Sequence, residues 1–110
     1  MVQLLYFPDC PNVGAARKML AQALSQLEDA PFVAEIDVSD PVTPPHLRGW
    51  GSPTILVDGA DVAGDHPSEA CCRLYPKSEE RGAPPLALIE AALLRARRGL
   101  RHKLGLLREV

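Results

Sequence analysis

The succession that most restricts the fold is an apolar run, an amphipathic helix and a second apolar run, all within residues 2–38. Val2-Gln3-Leu4-Leu5-Tyr6-Phe7 stops at Pro8 and reads as a buried strand. From Pro11 the spacing predicts a helix, since proline favours the first helical position. Val13, Ala16, Leu20, Ala23, Leu24 and Leu27 mark its apolar face, with Arg17, Lys18, Gln22 and Gln26 largely opposite. Asp29-Ala30-Pro31 ends it, and Phe32 to Val38 reads as a second strand. Two strands joined by one helix at this spacing should be parallel, with a right-handed crossover.

Downstream, Ser39 to Pro53 is proline-rich, with room for one helical turn at 43–48, Thr43 as its cap and Pro44 at its first position. Thr54-Ile55-Leu56-Val57 is a third strand. Asp58-Gly59 then predicts a tight type I′ hairpin, which needs positive φ at both central residues. Asp61-Val62-Ala63 would return, closed by Gly64. After an irregular stretch at 65–84, a last helix begins near Pro84-Pro85 with Leu86, Ile89, Leu93 and Ala96 inward. Arg97-Arg98-Gly99 weakens that helix, and Leu100, Leu104 and Leu107 suggest a further amphipathic segment.

The order β-α-β-(loop)-β-β-α predicts an α/β sandwich on one mixed four-stranded sheet, with a C-terminal helical extension. Its 110 residues suit one domain, 1–98, followed by a basic amphipathic tail, 99–110. With 46% hydrophobic residues but only 5% aromatic ones, the core must be aliphatic.

Charge narrows the function classes. Residues 1–94 hold 6 Lys+Arg against 13 Asp+Glu, and residues 95–110 hold 6 against 1. An acidic body with a short basic tail is not the pattern of a nucleic-acid-binding domain, which carries its cations on the folded face. The tail is either a solvated helix end or a segment that docks on acidic surface, its own or a partner's. No apolar run approaches the roughly 18 residues of a membrane span. Met1 to Phe7 lacks a signal peptide's basic start. The expected compartment is the cytoplasm, where thiols stay reduced and cysteines serve as nucleophiles, metal ligands or small apolar residues.

Three side chains therefore become candidates: Cys10, Cys71 and Cys72. Cys10 stands between a strand end and a helix start, in Phe7-Pro8-Asp9-Cys10-Pro11-Asn12. Unpaired N–H groups and the positive end of the helix dipole favour thiolate over thiol there. Loops at the C-terminal ends of strands are also where α/β folds place their sites. Burial as an inert apolar residue is the competing reading.

An apolar strand leading into aromatic-Pro-x-Cys-Pro at a helix start resembles the thioredoxin and glutaredoxin superfamily. So does Gly51-Ser52-Pro53-Thr54-Ile55-Leu56-Val57-Asp58-Gly59, followed by a short strand ending at Gly64. The resemblance covers roughly residues 2–64 and 84–96. It implies a thioredoxin-like three-layer sandwich, a cis-proline at Pro53 beside Cys10 and Pro11, and a Ser52 backbone free to pair with an extended substrate. It implies a thiol–disulfide oxidoreductase with Cys10 as nucleophile, acting on a disulfide-bearing protein or small thiol. Trp50, between two glycines, could line the substrate groove or pack beneath its loop.

Two departures matter. Val13 stands where a dithiol oxidoreductase of this family carries its second cysteine, and no Trp precedes Cys10. A mixed disulfide at Cys10 must then be resolved from outside the motif, by a small thiol such as glutathione or by the cysteines of Ser68-Glu69-Ala70-Cys71-Cys72-Arg73-Leu74-Tyr75. In one reading Cys72 or Cys71 resolves Cys10, and Arg73 helps to hold a thiolate. In another all three thiols bind a soft metal such as Hg(II), Cu(I) or Zn(II), with His66. In a third neither member of the pair reacts. The combination also resembles small bacterial thioredoxin-like proteins, some of them labelled as related to alkylmercury lyase, which adds weight to thiol–metal chemistry. His46, His66 and His102 show no metal-ligand spacing among themselves.

Overall fold

In the computed structural model, which describes residues 1–64, 73, 75, 78–79 and 82–108, seven elements follow in order. They are β1 (Val2–Tyr6), α1 (Val13–Leu24), β2 (Val33–Asp37), α2 (Pro45–Arg48), β3 (Thr54–Val57), β4 (Ala60–Asp61) and α3 (Leu86–Arg108). The four strands form one sheet in the order β2-β1-β3-β4. β1 and β2 are parallel with Val2 opposite Val33, as the intervening α1 requires. β3 runs antiparallel to β1, with Leu5 opposite Thr54, and β4 returns antiparallel along β3. The chain is thus an α/β fold on a mixed, open four-stranded sheet.

Side-chain alternation along the strands divides the core in two. Val2, Leu4, Ile55 and Val57 face α1 and α3, packing on Val13, Ala16, Met19, Leu20, Ile89 and Leu93. Leu5 and Leu56 point to the other face, onto Val38, Leu47 of α2 and Trp50. Arg17 of α1 is paired with Glu35 of β2 at 2.7 Å, and this hydrogen-bonded carboxylate raises the guanidinium above its usual range. The pair lies open to water, where such bridges contribute little.

Several boundaries differ from the sequence reading, each for a local reason. α1 starts at Val13 rather than Pro11, because Pro11 and Asn12 form a turn and the Asn12 carbonyl accepts the Ala16 N–H. Phe32 precedes β2 and is 86% exposed, since β1 begins at Val2 and provides strand partners only from Val33 onward.

The helical turn is capped by Pro44, not Thr43: a residue before proline avoids α geometry, and Pro44 precedes Pro45 with ψ 143°. Thr43 instead donates from Oγ1 to Asp37 O at 2.6 Å. β4 ends at Asp61 because its carboxylate accepts the Ala63 N–H and its carbonyl accepts the Gly64 N–H, which turns the chain away. Asp58 and Gly59 have φ of 52° and 84°, as the hairpin needs. α3 runs through Gly99 without a break to Arg108, so residues 99–108 continue the helix instead of starting a separate segment.

Candidate active site

Cys10 lies in the connection between β1 and α1. Pro8 and Asp9 form a turn closed by the Cys10 N–H donating to Phe7 O at 3.0 Å. This directs the thiol toward the α1–α3 face, where Cys10 joins the cluster containing Val13, Val62 and Ala83. The residue is 9% exposed. Cys10 precedes the helix cap Asn12 by two residues, so it sits ahead of the first turn and does not itself cap the helix.

The second loop of the site, 51–54, carries a cis Ser52–Pro53 peptide, as the resemblance implied. Ser52 Oγ accepts the Phe7 N–H at 3.0 Å, so one side chain joins this loop to the turn that holds Cys10. Trp50, just upstream, packs with Leu5, Val38, Leu47 and Leu56 on the sheet face opposite the Cys10 cluster.

Arg73 and Tyr75 bind the same loop from its other side. The Arg73 N–H donates to Ser52 O at 2.7 Å, and Tyr75 Oη donates to Pro53 O at 2.6 Å. Arg73 Nη1 donates to Asp61 Oδ2 at 2.8 Å and to Thr54 Oγ1 at 2.9 Å, and Thr54 Oγ1 in turn donates to Gly51 O at 2.7 Å. The Arg73 guanidinium also lies over the Tyr75 ring, 4.8 Å from its centroid.

One sequence expectation is thereby revised. The Ser52 carbonyl is not free for an extended substrate, because the chain's own Arg73 holds it. The Arg73 side chain is engaged with Asp61 and Thr54, on the sheet face of Leu56.

Cys71, Cys72 and His66 lie outside the described residues. Among the described residues, no group of three or more His, Cys, Asp or Glu side chains is placed to hold a metal ion. No helix there is long and apolar enough to cross a membrane.

Sequence reasoning missed the Asp61–Arg73–Thr54 network and the contact of Gly82 with Asn12. A Cβ at Gly82 would overlap Asn12 Cβ and Cγ, so the segment before α3 passes directly against the start of α1. An arginine and an aromatic two residues apart, opposite a hairpin aspartate, were the available signals. No protein-family model, curated protein or solved structure matches the chain, so the site rests on its own geometry.

Proposed function

We propose that the protein is a thiol–disulfide oxidoreductase of thioredoxin-like fold in which Cys10 is the nucleophile. The observation that carries this reading is the junction of two loops: the turn presenting Cys10 is hydrogen-bonded through Phe7 to Ser52, in the loop before β3. The strand order β2-β1-β3-β4 and the cis Ser52–Pro53 bond agree with that fold.

In the reaction, the Cys10 thiolate attacks one sulfur of a disulfide. A new S–S bond forms to Cys10 while the substrate bond breaks, and the departing thiolate takes a proton from water. Glutathione then attacks the substrate sulfur of the mixed disulfide and releases the Cys10 thiolate. Alternatively, Cys71 or Cys72 attacks Cys10 Sγ, releases the substrate thiolate and leaves an internal disulfide that two glutathione molecules reduce. Full reduction of one substrate disulfide takes two electrons, which two molecules of glutathione supply as they become glutathione disulfide. In this reading Ser52 and Pro53, tied to the Cys10 turn through the Phe7 N–H, form the substrate-side wall, and Pro11 fixes the chain as it turns toward α1.

Turnover of hydroxyethyl disulfide by the reduced protein with glutathione tests the reading. Cys10→Ser should lower the protein-dependent rate at least 100-fold, while Cys71→Ser and Cys72→Ser report whether either thiol takes part. A Cys10→Ser protein with undiminished turnover would overturn the assignment. Wild-type protein that binds Hg(II) tightly through Cys10 yet shows no turnover would replace it with the metal-binding reading.

A further inference from the structure

The start of β3 is a place where a sheet would normally offer an open edge. β4 pairs only as far as Asp61 opposite Leu56, with one further bond from the Val62 N–H to Ile55 O. Beyond that point, residues 51–54 have no β4 partner, and this stretch borders the turn that holds Cys10. An unpaired edge beside a reactive thiol is where an extended peptide would add as a strand.

Arg73 and Tyr75 remove that option. The Gly51 carbonyl is taken by Thr54 Oγ1, the Ser52 carbonyl by the Arg73 N–H and the Pro53 carbonyl by Tyr75 Oη. Proline has no N–H to offer. Gly51, Ser52, Pro53 and Thr54 are all buried. Arg73 is itself held by a carboxylate with no exposed surface, since the Asp61 side chain is 0% exposed and that of Arg73 only 15%. An incoming strand would find neither access nor acceptors without first displacing a buried ion pair.

We infer that the Cys10 site takes small disulfides whose recognition needs no strand pairing, and that Arg73 and Tyr75 exclude extended polypeptide disulfides. This rests on Cys10 being the reacting thiol. The low exposure of Cys10 points the same way, since a small disulfide reaches a nearly buried sulfur more readily than a folded or extended chain does.

Stoichiometric exchange tests the inference independently of turnover. Reduced protein with Cys71→Ser and Cys72→Ser is mixed with the homodisulfide of N-acetylcysteine amide, or with that of a ten-residue extended peptide bearing one central cysteine. Formation of the mixed disulfide at Cys10 is followed by mass spectrometry. Each rate is divided by that of free N-acetylcysteine with the same disulfide, which cancels intrinsic reactivity.

The small disulfide should be favoured at least tenfold. Tyr75→Phe, which keeps the ring and removes the bond to Pro53 O, should reduce that ratio several-fold. Arg73→Ala, which keeps the backbone N–H on Ser52 O but removes the side-chain anchor on Asp61 and Thr54, should reduce it further. Arg73→Lys, which keeps the charge, should reduce it by less.

Equal normalised rates in the unmodified strap, or a ratio unchanged in Tyr75→Phe and Arg73→Lys, would overturn the inference. So would a Cys10 that exchanges with neither disulfide. Selective exchange without catalytic turnover would leave the access inference standing while removing the enzymatic reading.

Discussion

At Gly82 the backbone runs so close to Asn12 that no side chain fits between them. Gly82→Ala would push on Asn12 Cβ as well as Cγ, so rotation of the asparagine cannot relieve the overlap. The substitution should cost about 1–3 kcal/mol in urea unfolding, the usual range for overpacking. In an Asn12→Gly background the additional loss should largely disappear.

Asp61 sets a second expectation at this scale. Its carboxylate and Arg73 form a largely buried pair, and Asp61→Ala takes away one member of it. Removing one partner of such a pair costs about 3–5 kcal/mol, and the same denaturation series measures it. Neither contact was legible from sequence. Asn12 and Gly82, or Asp61 and Arg73, meet only after the chain has folded, and no local periodicity marks such pairs.

The elements themselves were far more legible, because their signals are local. Of the six apolar-face positions expected for α1, Val13, Ala16, Leu20 and Ala23 are buried, Leu24 is half-buried, and Leu27 is half-buried beyond the helix end at Leu24. Met19 completes that face and was overlooked. The hairpin followed from Asp58-Gly59, whose two positive φ values leave little choice of turn. Element ends were less readable where a single residue decides them. Asp61 does so for β4 through its hydrogen bonds to Ala63 and Gly64, and Pro45 for α2 through its steric restriction of Pro44.

Gly99 was read as a weak point of the last helix, yet α3 continues through it, with nothing within 4 Å of a Cβ built there. Gly99→Ala should therefore stabilise the helix by about 0.5–1 kcal/mol, seen as higher ellipticity at 222 nm and a later unfolding midpoint. A helix broken at Gly99 would show no such gain. On α1, Leu20→Ala should cost about 2–5 kcal/mol through lost core packing, measured by urea unfolding. Arg17→Ala, at an exposed pair, should leave the midpoint nearly unchanged.

For the whole molecule, the parallel β1–β2 pair and the antiparallel β3–β4 pair of a mixed sheet followed from the early strand–helix–strand unit and the later hairpin. The order β2-β1-β3-β4 depends instead on long-range pairing that no local pattern marks. The site was legible in one half: Cys10 and the 51–54 loop could be paired through motifs that occur in order along the chain. The half contributed by Arg73 and Tyr75 depends on a long connection returning to the sheet edge, and composition does not encode that return. In the proposed reaction this return matters, because it engages the Ser52 and Pro53 carbonyls that a polypeptide substrate would otherwise pair with.

The account rests most heavily on Cys10 being the thiol that attacks. Reduced wild-type protein, treated with a substoichiometric amount of a small disulfide and quenched with acid at short times, shows which sulfur reacts first when its peptides are mapped. The adduct should appear on Cys10 before any other cysteine. Rapid consumption of the disulfide at Cys71 or Cys72, with Cys10 unmodified, would contradict the account.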